Sequence, residues 1–310
     1  KLSSPLINSY IRALQDIILK EDVSRRDFIL TTLPLDVFCS FMMKDRLNSN
    51  FITDCLNFLI AILQNPLHNE GLMLILRTTN HFLSDYPISC FKIYILLIQH
   101  HNIYDGYNYQ DVLPFLDIDN SSDYHKASEN AIMACKFIAT FLQYNNSLQG
   151  CFPNDQLAKI ALTSTYDNNL RYYALLALKY TDHYSLFIQN MISLFDCFSE
   201  KCKQVAGLMI LDYAKKVSSE NVSQLITPEK NIFTIVRILF DTHSLTVIKD
   251  GYLAMYHFFD ITNCDDNTIA MFLEEFPDDT IWHYSHTDDD EINQIAESFI
   301  SRYLSTDDSD

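Results

Sequence analysis

Five stretches of this chain read as one helix written five times, apolar on most of its circumference. Leu56-Asn-Phe-Leu-Ile-Ala-Ile-Leu63, Cys135-Lys-Phe-Ile-Ala-Thr-Phe-Leu142, Ala174-Leu-Leu-Ala-Leu-Lys-Tyr-Thr181, Ala206-Gly-Leu-Met-Ile-Leu-Asp-Tyr213 and Gly251-Tyr-Leu-Ala-Met-Tyr-His-Phe258 align in one column. The first position is small in four of them (Cys135, Ala174, Ala206, Gly251), and the third is always large and apolar. Successive members lie 79, 39, 32 and 45 residues apart, and the widest gap leaves room for one more unit, over Ile88 to His100. A helix that is apolar nearly all round must be covered on several sides. Stacking helical units with a period near 40 supplies that cover, and a small residue at one fixed position lets the next helix come close.

Composition agrees with helices alone. The 310 residues include five glycines, where average usage of roughly 7% would give about twenty. Hairpins, phosphate-cradling loops and parallel-sheet enzymes all consume glycine, so its scarcity leaves helices joined by short polar turns. Apolar residues recur with a 3.6-residue period in about fourteen to sixteen segments, among them Ser4–Lys20, Ser24–Leu33, Pro34–Lys44 and Ser49–Gln64. Ser4-Pro5, Leu33-Pro34 and Thr227-Pro228 place proline where helices are expected to begin. The best strand candidate is Leu245-Thr-Val-Ile248, and its surroundings read as helix.

Charge is unevenly distributed. Of a formal net −18, residues 260–310 contribute −14, from fifteen acidic residues against Arg302 alone. Such a chain repels a phosphate backbone, which excludes nucleic-acid binding, whereas its acidic end suits a basic partner. The eight cysteines contain no Cys-x-x-Cys, and Cys39, Cys55, Cys90, Cys135 and Cys197 fall in apolar helical runs, which predicts free thiols and a reducing compartment. The longest apolar runs, such as Ile93–Ile98, are far short of the roughly 20 residues a spanning helix needs. With no visible signal peptide, the expected location is cytoplasmic or nuclear, without membrane insertion. Asn120-Ser-Ser, Asn145-Asn-Ser and Asn221-Val-Ser match the glycosylation pattern, as chance allows in a chain rich in Asn and Ser.

Leu170-Arg-Tyr-Tyr-Ala-Leu-Leu-Ala-Leu178 resembles the third helix of an armadillo repeat, and Leu33-Pro-Leu-Asp-Val-Phe-Cys-Ser-Phe-Met-Met43 resembles the second; HEAT repeats are similar enough to fit as well. The resemblance covers most of residues 20–260. It implies an all-α fold, a right-handed superhelical α-solenoid of armadillo/HEAT-like repeats. It further implies one domain over 1–304, with about six to seven divergent repeats. Residues 305–310 would be an acidic, disordered tail. Such proteins bind extended peptides or other proteins in a concave groove lined by third helices. The Trp ladder of importin-α would here be Phe58, Phe137, Leu176, Leu208 and Leu253, and the Asn ladder Ile62, Phe141, Tyr180, Asp212 and His257, so the localisation-signal ladder is absent.

The polar and aromatic positions on these helices expected to face a partner are Lys136, Arg171, Tyr172, Lys179, Tyr180, Asp212 and His257. The expected function is a non-enzymatic scaffold or adaptor without cofactors, a monomer or a subunit of a complex. Its partner is another protein or an extended peptide, a basic one suiting the acidic end. The acidic tail could instead plug the groove. The alternative is a metal-dependent helical hydrolase using His283 and His286, three apart, with the carboxylates Asp288, Asp289, Asp290 and Glu291. Against it, Ser285–Glu291 reads as a capped helix start, the favoured reading, with Ile292, Ile295, Ala296, Phe299 and Ile300 inward. Walker, Gly-x-Ser-x-Gly, His-Glu-x-x-His and Gly-x-Gly-x-x-Gly motifs are missing from the sequence.

Overall fold

The computed structural model describes residues 4–20, 32, 34–43, 47–65, 67, 69–145, 152–181 and 183–304. Most of the helix expected over Ser24–Leu33, and the 305–310 tail, lie outside them. The chain divides into two compact units, Lys1–Leu157 and Ala158–Asp310.

The first unit contains α1 (Ser4–Lys20), α2 (Leu35–Met42), α3 (Ser49–Ile62), α4 (Asn69–Phe82), α5 (Pro87–His101) and α6 (Tyr124–Tyr144), and α7 (Asn154–Leu162) crosses its boundary. Local chemistry sets the helix ends. The Asn48 side chain accepts the Phe51 N–H at 2.8 Å to start α3, and Asp123 accepts the Lys126 N–H at 3.1 Å to start α6. Pro87 opens α5, and Asn102, at φ 55°, closes it in the left-handed conformation. Helices pack on the next but one: α1 on α3, α3 on α5, and α2 on α4, with α4 also against α5 and α5 against α6. Phe91, Tyr94, Tyr107, Phe137 and Phe141 form a joined aromatic cluster inside the unit.

In the second unit α8 (Asn168–Lys179), α10 (Glu200–Ala214), α12 (Leu245–Ile261) and α14 (Asp290–Tyr303) pack in succession, forming a row. α9 (Ile188–Ser193) packs on α10, α11 (Ile232–Phe240) lies against both α10 and α12, and α13 (Asp266–Glu275) follows on α11. This is repeat-like packing of the kind α-solenoids use. At the column's small position Gly251 acts as expected, since a Cβ there would collide with the ring of Phe240. Gly207, beside the column's Ala206, does the same unpredicted, because a Cβ on it would come within 2.6 Å of Leu239. Both glycines let α11 approach the row.

Several sequence expectations are corrected. Leu245–Ile248 is the first turn of α12, and among the described residues the one β pairing is an isolated bridge, Ile226 to Asn231. Thr227-Pro228 does not begin a helix. Thr227 hydrogen-bonds Lys230 through both its N–H and its hydroxyl, tightening a turn, and α11 starts later with a capping box of Asn231 and Thr234. Cys197 ends a short 3₁₀ turn and is exposed, whereas Cys39, Cys55, Cys90 and Cys135 are buried free thiols. Burial pushes the thiols of Cys55 and Cys135 up to about 12, so they stay protonated and behave as apolar side chains.

Candidate functional site

The α8–α10–α12–α14 row carries the second-unit members of the sequence column. Three members of the sequence column, on α8, α10 and α12, share one orientation. Ala174, Ala206 and Gly251 point inward and are buried, while Leu176 and Leu208 are half-buried and Leu253 is 36% exposed. On α14 the half-buried Ile295 extends this aliphatic line, although the sequence predicts it inward. The first-unit members differ: Phe58 and Phe137 are fully buried, each packed against another ring, Phe38 and Phe91 respectively. The column is therefore in register within the second unit only.

Polar pairs stitch adjacent helices of the row together beside these aliphatic residues. Lys215, which caps the end of α10, reaches Asp250 on α12 at 2.8 Å, Lys249 on α12 reaches Glu291 on α14 at 2.6 Å, and Arg302 on α14 reaches Asp260 on α12 at 2.8 Å. The last two pairs lie at the N-terminal and C-terminal ends of both helices, so α12 and α14 run parallel. Arg302 also lies over the rings of Tyr256 and Tyr303 and donates to the Tyr256 hydroxyl at 3.1 Å, and the Tyr303 hydroxyl donates to Asp260. Between α12 and α14 the row opens into a cleft of about 290 Å³, lined by Leu253, Tyr256, Gln294, Ile295 and Ser298.

The residues singled out from sequence divide three ways. Tyr172, Lys179, Tyr180, Asp212 and His257 lie half-buried on successive helices of the row. Asp212 accepts the Tyr184 hydroxyl at 2.6 Å and the Lys216 ammonium at 2.9 Å; partial burial pushes its pKa up, but these two partners outweigh it and hold the carboxyl below its ordinary value. His257 Nε2 bonds the Val217 carbonyl at 2.8 Å, so the imidazole clasps the chain leaving α10. His101 makes the same bond to the Leu63 carbonyl at 2.9 Å in the first unit. Lys136 lies on α6, in the other unit, half-buried.

Arg171 is a correction. Expected to face outward, it is 2% exposed. Its Nε donates to the Ala161 carbonyl at 3.2 Å, its Nη1 to the Cys197 carbonyl at 2.9 Å, and its guanidinium sits 4.8 Å from the centre of the Phe198 ring. A planar group with five donors can bind two chain ends at once while its faces stack, which is why an arginine fits inside this unit.

His283 and His286 do not share a helix face. A 3₁₀ segment ends at Tyr284, His286 follows it with Nδ1 3.2 Å from the Trp282 carbonyl, and α14 begins only at Asp290, capped by Asp289. Among the described residues, no three His, Cys, Asp or Glu side chains are grouped to hold a metal ion. The hydrolase alternative loses the shared face on which it depended.

No family model matches the chain, and no curated protein matches it.

The resemblance placed Leu176, Leu208 and Leu253 along a groove, but sequence reasoning missed that Ile295 extends them into an aliphatic line. Its signal was present, since the third position of the column is always large and apolar. On a helix apolar nearly all round, that position is indistinguishable from core without knowing where the neighbours pack.

Proposed function

We propose that this chain is a non-enzymatic protein-binding scaffold of armadillo/HEAT type, acting in the cytoplasm or nucleus, whose binding face is the outward surface of the α8–α10–α12–α14 row. The observation that carries it is the register of Leu176, Leu208 and Leu253 on three successive helices, exposed to differing degrees beside salt-bridged borders. Aliphatic area held on rigid, mutually tied helices costs little ordering on binding, and the neighbouring tyrosines Tyr172, Tyr180 and Tyr256 combine large area with a polar handle. The borders favour a protein ligand over a nucleic acid, because the cations of Lys215, Lys249 and Arg302 are already neutralised by carboxylates.

The test compares affinity purification with the wild-type chain and with a Leu208→Asp/Leu253→Asp double variant that retains its helical circular dichroism. A partner retained by the wild type and lost by the double variant, then confirmed with both proteins purified, supports the proposal. Identical recoveries from the two chains would remove the row as the binding face.

A further inference from the structure

Resting on the scaffold reading, we infer that the α12–α14 cleft is the anchor point of that face and that it takes an apolar side chain from a basic amphipathic helix of a partner protein. Its walls are the aliphatic side chains of Leu253 and Ile295 with the ring of Tyr256, and its volume of about 290 Å³ is many times the roughly 30 Å³ share of one water. A leucine or phenylalanine seated against these walls would exchange water for carbon. Anchors of this kind, at a helical spacing along one face, are how amphipathic helices dock into grooves between helices.

The charge of the surroundings selects the partner's sign. Both cations at the cleft are engaged, Lys249 with Glu291 at 2.6 Å and Arg302 with Asp260 at 2.8 Å. On the outer side of α14, Asp290 and Glu297 are exposed and form no ion pair among the described residues. Helical geometry puts them within about 60° of Gln294, beside the cleft's rim, where carboxylates that need no displacement can receive lysine or arginine. An acidic segment would meet uncompensated like charge at the same rim, and a nucleic acid would meet it along its whole backbone. Lysines flanking a leucine face satisfy both the walls and the rim.

Fluorescence anisotropy decides it, with the intact chain and three labelled synthetic helices: one of lysine and leucine, one with its leucines changed to serine, and one with its lysines changed to glutamate. The lysine–leucine helix should bind at least tenfold tighter than either control. Leu253→Ser/Ile295→Ser should weaken it about tenfold, and Asp290→Lys/Glu297→Lys about fivefold while flattening its salt dependence. Leu253, Asp290 and Glu297 are exposed and Ile295 is half-buried, so both variants should keep the wild-type circular dichroism, which is checked first. Equal binding of the serine helix, or binding indifferent to Leu253 and Ile295, overturns the cleft as anchor, as does no binding at all. The scaffold reading fails separately if a Leu208→Asp single variant captures the partner as the wild type does, because Leu208 lies outside the cleft that Leu253 lines.

Discussion

Arg171 shows how far one side chain's role depends on its surroundings. From the sequence it is a charged residue flanking an apolar helix, and such residues belong at the surface. In the fold its charge is buried against two carbonyls and a ring, with no carboxylate partner, and its Nη2 has no hydrogen-bond partner among the described residues. Truncation would strip the Ala161 and Cys197 carbonyls of their donors and leave a cavity. Arg171→Ala should therefore lower the unfolding free energy by about 3 kcal/mol in urea titrations. Partner capture at temperatures where the variant stays folded should be unchanged. Loss of capture with stability intact would instead place the guanidinium in the binding face. Asp212 and His257, half-buried on the row, spend their polar atoms on neighbouring turns.

At the scale of elements, most helix positions were legible and the packing partners were not. α1 spans the predicted Ser4–Lys20, and α5 runs Pro87–His101 against a predicted Ile88–His100, because apolar periodicity and end residues are local properties. Which helix each apolar residue touches is non-local. Gly251 illustrates this: the alignment marks it as a small position, but only the fold shows that the Phe240 ring of α11 occupies the space. Phe240 is itself fully buried and packed against Tyr252 and Tyr284, so it has little room to retreat. Gly251→Ala should cost about 1–3 kcal/mol despite the better helix propensity of alanine, as thermal melts would register. A stabilised variant would mean that α11 yields at no cost. The same non-locality split the five-member column, since Phe58 and Phe137 meet partners that cover them while Leu208 and Leu253 do not.

Across the whole molecule, buried and hydrogen-bonded tyrosines set the pH response. Burial raises the pKa of Tyr94, Tyr107 and Tyr252, and burial together with hydrogen bonds to Asp260 and Asp241 raises Tyr303 and lifts Tyr284 to about 12. The unfolded chain would ionise them near pH 10. Folded-state values above the unfolded one mean that their contribution is complete below pH 10 and drains away as pH rises through the folded values. The urea midpoint should thus fall steadily between pH 10 and 12, in step with phenolate absorbance, and Tyr284→Phe should make that fall shallower. A flat midpoint over this window would show that the phenols are not held protonated by the fold. Carboxylates could not substitute for this behaviour, because their titration ends far below it, whereas the buried thiols of Cys55 and Cys135, raised to about 12, add to the same fall. By itself the sequence determined an all-helical chain, its acidic C-terminal end, its free buried thiols and the repeated column, because periodicity, composition and charge are written residue by residue. Only the tertiary structure decided that Arg171 is interior, that His283 and His286 share no face, and that Leu176, Leu208, Leu253 and Ile295 are left partly exposed in line. A helix apolar on every side carries no mark of which side its neighbours leave open, and that side is fixed only when the neighbours pack.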